Sequence, residues 1–341
     1  MRQELGDAHG IAESLLSVGF AYYQLGQFDN AQTYWQQARS QYIELEDQAG
    51  LVHSREALGL AGIARGDWIS AREELAAGLM AAEALQMDEE QANGTAILAD
   101  LDRLEGNYAD ALERVDKALS AFRRRGDQRG VSEMQLLQIQ TLLDLGAVFE
   151  ASQALRIFDV EPPASAEQQS MLDSQRAQLA LLDGRQSDAL QHADVALTLA
   201  QEGHSLAMDL QAQIVKSEVL WALGERAKAV DQLDKAEVGI GRHASVPLRL
   251  RLAETHLRVN GPSQLQAWRN AESLLARLPS YGRAWRLYAL AIEAEPTRAR
   301  QLSDQLHIER DRISQLLPAD LREVFAASLP RSPVEPRTTN D

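Results

Sequence analysis

The stretch ESLLSVGFAYYQLGQFDNAQTYWQQARS, residues 13–40, decides the fold. Leu15, Val18, Gly19 and Tyr22 recur at i, i+3, i+4 and i+7, the spacing of one face of a helix. After Gly26-Gln27-Phe28, a second face follows through Ala31, Trp35 and Ala38. Glycine just past a periodic run is a helix C-terminal signal. Asp29 or Asn30 then stands where the next helix would take its N-cap. The stretch therefore predicts two antiparallel helices joined by a tight turn.

Moving outward, the same marks recur. Gly26, Gly66, Gly106 and Gly146 lie 40 residues apart, as do Ala31, Ala71, Ala111 and Ala151. Phe28, Trp68 and Tyr108 keep the interval, and Gly19 returns as Gly59 and then Ala99. The connecting segments repeat as well: Gly6-Asp7-x-x-Gly10, Asp47-x-x-Gly50 and Gly126-Asp127-x-x-Gly130. Beyond residue 150 the period loosens, with Gly184 and Ala189 following by 38 residues and Gly224 and Ala229 by 40. Weaker copies near Ala267 and Ala299 bring the expectation to about eight units. A two-helix unit cannot bury its apolar stripe alone, so neighbours must stack.

These residues resemble the tetratricopeptide repeat. Its signature packs a small residue of helix A on a small residue of helix B, with a larger apolar residue one turn on, as in Gly19…Ala31…Trp35…Ala38. The second copy departs at Gly62 and Gly78, and the third carries Asp102 where the first has Tyr22. The long period with Gly-Asp connectors is similar to the variant in spindle-orientation adaptors and bacterial signalling regulators. The resemblance covers roughly residues 5–310 and implies an all-α, right-handed superhelical solenoid of about eight antiparallel helix pairs.

Composition narrows the function classes. The chain has 341 residues, no Cys and a net charge of −16. The missing cations argue against nucleic acid and against an anionic membrane surface. Without Cys there are no disulfides, thiolate metal sites or thiol nucleophile. No run approaches the length of a membrane span, and the N-terminus has no apolar signal region, so a cytoplasmic location is expected. Residues 1–120 hold 21 acids and 8 bases, whereas residues 242–341 hold 11 acids and 15 bases. This gradient would steer a basic partner to the N-terminal half or pair chains head to tail in self-association. A solvated surface of uneven composition is the plainer reading. Only four of the 34 basic residues are Lys, which codon composition could explain.

Domain organisation follows the rhythm: N-terminal repeats over 1–156, a loop or hinge over 157–168 with Pro162-Pro163, and C-terminal repeat-like units over 169–317. A capping helix is expected over 318–329, with Leu321, Val324 and Phe325 on one side, and a disordered polar tail over 330–341. Residues 1–7 have the form of a connector between repeats. The chain is thus expected to be a repeat region from a longer polypeptide or to abut another reading frame; a native start with a ragged first helix is the alternative.

No chemistry-bearing motif emerges. The seven His form no metal-ligand spacing, and Gly239-Ile-Gly241 lacks the third glycine of a phosphate loop. The run Asp88-Glu89-Glu90 lacks calcium-loop spacing and suits a helix start. A non-enzymatic chain is expected, with no catalytic, cofactor or metal residues.

In the family, helix A of each unit lines the concave face. The resemblance places Glu13, Leu16, Phe20 and Tyr23 there, then His53, Glu56, Leu60 and Ile63, then Asn93, Ala96, Asp100 and Arg103, then Glu133, Leu136, Gln140 and Leu143. Further along it places Glu218, Trp221, Arg249, His256, Tyr281 and Tyr288. Phe20, Tyr23 and Trp221 are anchors if they face a groove, or packing groups if they touch the next unit. Family members that clamp a peptide C-terminus use paired Lys and Asn; Leu16, Phe20, Leu60, Ala96 and Asp100 stand at those positions, so that partner does not fit. The expectation is a non-catalytic interaction scaffold or regulatory domain of a bacterial signalling system. It would take a protein or peptide partner, or an adjacent effector domain, through apolar anchors and basic residues. The alternative is a ligand or peptide sensor domain of a bacterial transcriptional regulator, which would need a groove closed through a full turn and walls rich in Asn.

Overall fold

A computed structural model describes residues 8–163, 165–203, 205–240, 243–260 and 265–328. Among these residues eight helix pairs follow one another: α1 (Ala8–Gln24) with α2 (Phe28–Glu44), α3 (Gln48–Arg65) with α4 (Trp68–Ala84), α5 (Asp88–Glu105) with α6 (Tyr108–Arg125), and α7 (Gln128–Leu145) with α8 (Val148–Leu155). Then come α9 (Ala166–Leu182) with α10 (Gln186–Glu202), α11 (Leu206–Ala222) with α12 (Arg226–Ile240), α13 (Val246–Asn260) with α14 (Leu265–Leu275), and α15 (Ala284–Ala294) with α16 (Ala299–Leu316). A last helix, α17, covers Ala319–Ser328. No strand occurs among the described residues. The chain is an all-α superhelical repeat protein, as its periodicity predicts.

The repeated marks are packing and turn devices. Gly19 is buried against Trp35, where a Cβ would collide with the indole, so helix B can approach only because helix A has no side chain there. Ala31, Ala71, Ala111 and Ala151 are all buried in the same helix–helix seam. Gly66, Gly106 and Gly146 close their A helices in the left-handed region at φ 85°, 86° and 86°, which spares the steric cost a Cβ would bring. At the B-to-A junctions Glu46 and Gln86 take that conformation instead, at φ 54° and 56°, where the fourth unit has Gly126.

Capping corrects one expectation. Asp29 and Asn30 lie within α2 and do not cap it. Asp47 and Asp127 do cap, their carboxylates accepting from the Gly50 and Gly130 amides at 2.9 and 3.0 Å. The departure at Asp102 also finds its cause. Its carboxylate is buried and accepts from Arg72 and Arg114, each at 2.7 Å, so ion pairs from α5 to the B helices on either side, α4 and α6, replace an aromatic contact.

The chain then returns on itself. Val246, Leu250, Trp268 and Leu287 share one core with Ile63, Trp68, Leu98 and Leu104 of the second and third units. The Gly282 amide donates to the Leu104 carbonyl at 2.7 Å, and the Tyr108 hydroxyl donates to the Gly282 carbonyl at 3.0 Å. Residues 157–168 hold most of a short 3-10 turn (Arg156–Asp159), the buried Phe158 and the start of α9. Helix α17 buries Phe325 in a core with Leu136, Leu145, Leu306 and Ile313, lying against α7 as well as α16. The expected connector at residues 1–7 and the tail from 330 lie outside the described residues.

Candidate functional site

The A helices of the first four units deliver their free faces into one groove of about 890 Å³. From α1 come Glu13, Leu16 and Phe20, from α3 His53, Glu56 and Leu60, from α5 Asn93 and Ala96, and from α7 Arg129 and Glu133. Each helix contributes at intervals of three or four residues, because those positions lie on the side opposite the helix B seam. Phe20 is 43% exposed, its edge resting on Trp35 at 5.1 Å between centroids. Leu16 and Leu60 are half-buried.

The groove is acidic. His9 lies 3.2 Å from Asp47 and 3.6 Å from Glu13, and His53 lies 3.7 Å from Glu90. Glu56 makes no hydrogen bond or ion pair among the described residues. Burial, with Glu90 and Glu89 nearby, pushes its carboxyl up to about 8. A partly buried carboxyl without a counter-charge is costly to ionise and would gain from a cation brought to it.

Other predicted positions lie elsewhere. Tyr23 is turned into the helix seam against Phe28 and Trp35, with centroids at 5.4 and 5.7 Å. Burial, then Asp100, pushes its hydroxyl up to about 12. Asp100 and Arg103 pair at 2.8 Å, and Arg103 reaches on to Asp144 at 2.6 Å. Arg103 and Asp144 line a small inner cavity of about 110 Å³ with Tyr281 and Arg283. Trp221 sits under Arg226, 5.0 Å from its guanidinium, at the end of α11. Tyr288 packs on Trp268 at 5.6 Å. Leu136, Leu143, Glu218, His256 and Tyr281 are buried, although the family resemblance implies a groove position for each. The reason is the return of the chain: Trp285, Leu306 and Phe325 cover Leu136 and Leu143, and ion pairs from Arg251 and Arg258 cover Glu218.

Sequence periodicity gives no sign of the longest network. Asp144 accepts from Arg103 at 2.6 Å and Arg283 at 2.7 Å. Arg283 grips Glu254 through two nitrogens at 2.8 and 3.0 Å. Arg251 joins Glu254 to Glu218 at 3.5 and 2.8 Å. One group of metal-type side chains converges among the described residues, Asp234, Glu237 and His256, and it lies on α12 and α13 rather than in the groove. Among the described residues no helix is long and apolar enough to cross a membrane.

No protein-family model and no curated protein matches the chain. Solved structures do. A Rap protein complexed with competence and sporulation factor is 15% identical, with 94% of this chain and 96% of that one covered at a TM-score of 0.55. NprR in complex with its cognate peptide NprX is also 15% identical, with 86% and 88% covered at 0.60. The apo form of the quorum sensor NprR from B. thuringiensis is 13% identical, with 93% and 99% covered at 0.52. At these identities the likeness carries the fold, and the fold is that of a tetratricopeptide-type helical repeat protein.

Proposed function

We propose that the chain is a non-catalytic regulatory module that holds a peptide or protein segment in the groove of its first four units. The observation that carries this reading is the groove itself: apolar Leu16, Phe20 and Leu60 interleaved with the acids Glu13, Glu56 and Glu133. The matching occupant is a segment with apolar anchors and at least one Lys or Arg. A place in bacterial signalling fits the likeness to Rap and NprR structures, both solved with a bound factor or peptide. The return of the chain onto its first units meets one requirement of a receptor for short peptides. The other, walls rich in Asn, is not met, since among the described residues Asn93 is the sole Asn lining the groove. A segment held through side chains rather than through its backbone is therefore the better fit.

The test is selection of a displayed random peptide library on the full chain, with Phe20→Ala/Leu60→Ala as counter-target. Each truncation of a central anchor typically costs on the order of 2 kcal/mol. Selected peptides should carry apolar and basic residues and bind the variant at least ten-fold more weakly at unchanged helicity. Peptides that bind both proteins equally would remove the groove from the argument. Tyr23 is left intact because its ring supports Trp35.

A further inference from the structure

Helices α12 and α13 bring together three side chains that the groove does not use. Asp234 and Glu237 are one turn apart on α12, both exposed. His256, on α13, is 6% exposed and faces them. One ligand atom from each lies within 4.8 Å of the other two. Neither ring nitrogen of His256 makes a well-directed hydrogen bond, although Nε2 stands 3.1 Å from Glu237 Oε2. Buried polar side chains nearly always find a partner, so an imidazole left in this state asks what it is aimed at.

We propose that Asp234, Glu237 and His256 form a binding site for a divalent transition-metal ion, with Zn²⁺ the best match. Bonds of about 2.0–2.2 Å from one tetrahedral ion to an imidazole nitrogen and a carboxylate oxygen place the two donors about 3.4 Å apart. The His256–Glu237 separation, 3.1 Å, lies within a few tenths of an ångström of that value. Asp234 closes the remaining distance by rotation of an exposed side chain, without backbone movement. The nitrogen selects against Mg²⁺ and Ca²⁺, which take oxygen ligands. Two carboxylates supply the charge that a divalent ion requires, and solvent fills the remaining positions. Nδ1 has no hydrogen-bonding partner to orient the ring, and an absent outer partner typically weakens a metal site roughly 10–100-fold. The site is therefore of moderate affinity. Its effect would be to tie α12 to α13.

The experiment uses the full chain without an affinity tag, labelled with ¹⁵N-histidine and stripped with a chelator. Titration with ZnCl₂ alone should move the His256 Nε2 resonance in a saturable step, and millimolar Mg²⁺ should not compete. Asp234→Asn/Glu237→Gln, two exposed positions, should weaken that step at least ten-fold and leave thermal unfolding in chelator unchanged. His256→Gln assigns the resonance; if that variant fails to fold, the carboxylate pair still decides the outcome. An acidic chain collects Zn²⁺ elsewhere, so bulk stoichiometry is not the readout. A His256 resonance that stays still at Zn²⁺ saturation, or a double variant that binds as tightly as the parent, would overturn the site and reduce the trio to a plain His–Glu contact.

Discussion

Arg283→Ala should destabilise the folded chain by about 3–5 kcal/mol, the usual cost of removing one partner from a buried ion pair. Arg283 is 8% exposed and serves two carboxylates, Asp144 at 2.7 Å and Glu254 through two bonds at 2.8 and 3.0 Å. Those carboxylates are 2% and 0% exposed, so neither can turn to water when the guanidinium goes. Each keeps a second cation, Arg103 for Asp144 at 2.6 Å and Arg258 for Glu254 at 2.9 Å, which moderates the loss without abolishing it. Arg283→Lys should fall between the two, since an ammonium restores charge but not the planar fork that reaches both acids. Repeat arrays unfold in segments. The check is therefore a urea midpoint together with amide exchange in α7 and α13, the helices that carry Asp144 and Glu254. A midpoint shared by the variant and the parent would mean that the network balances to zero. The return of the chain would then rest on its apolar core alone.

That network also explains a feature that composition leaves unexplained. The basic residues are Arg rather than Lys, and codon usage would account for it. The structure supplies a physical reason, because Arg72, Arg103, Arg251 and Arg283 each hold two carboxylates, at least one of them on another helix. The four lysines each meet a single acid: Lys117, Lys228 and Lys235 within their own turn or the next, and Lys216 on α11 meets Asp194 of α10. Local features are legible in the sequence and distant ones are not. Gly26 to Gly146 mark turns because a tight helix end needs a left-handed residue, a demand met within a few residues of chain. Leu16, Phe20, Glu56 and Leu60 can be placed in a groove because the face opposite a packing seam is set by helical spacing. Nothing in the periodicity says that Asp144 meets Arg283, 139 residues on. Trp221 and Tyr288 fall outside the groove for the same reason: the period gives their side of the helix, not what the returning chain lays against it. His256 carries no signal of its own because its partners, at 234 and 237, sit on another helix and form no motif in sequence.

Glu56→Gln should stabilise the unoccupied protein at alkaline pH and leave it unchanged in acid. The ordinary carboxyl value is 4.5, and in the folded chain burial and the neighbouring Glu90 and Glu89 raise it to about 8. Between these values the folded state binds the proton that the unfolded state has released, so stability falls as pH rises. The contribution is complete below about 4.5 and is lost by the time pH has passed about 8. Each tenfold change in proton affinity is worth about 1.36 kcal/mol; reduced for a side chain that still meets some solvent, the loss is on the order of 3 kcal/mol. Glutamine stands in for the protonated form and has no charge to bury. The difference in unfolding free energy between variant and parent should therefore be near zero at about pH 4, grow through neutrality and level off above about pH 8. A difference that is flat across this range would show Glu56 to be well solvated and would weaken the case for a cation-seeking groove. The same variant separates stability from binding. A basic segment in the groove gives the ionised carboxylate the partner it lacks, so Glu56→Gln should lose affinity for selected basic peptides while gaining stability without them. Both signs follow from one uncompensated charge, and a variant that gained or lost on both counts would contradict that origin.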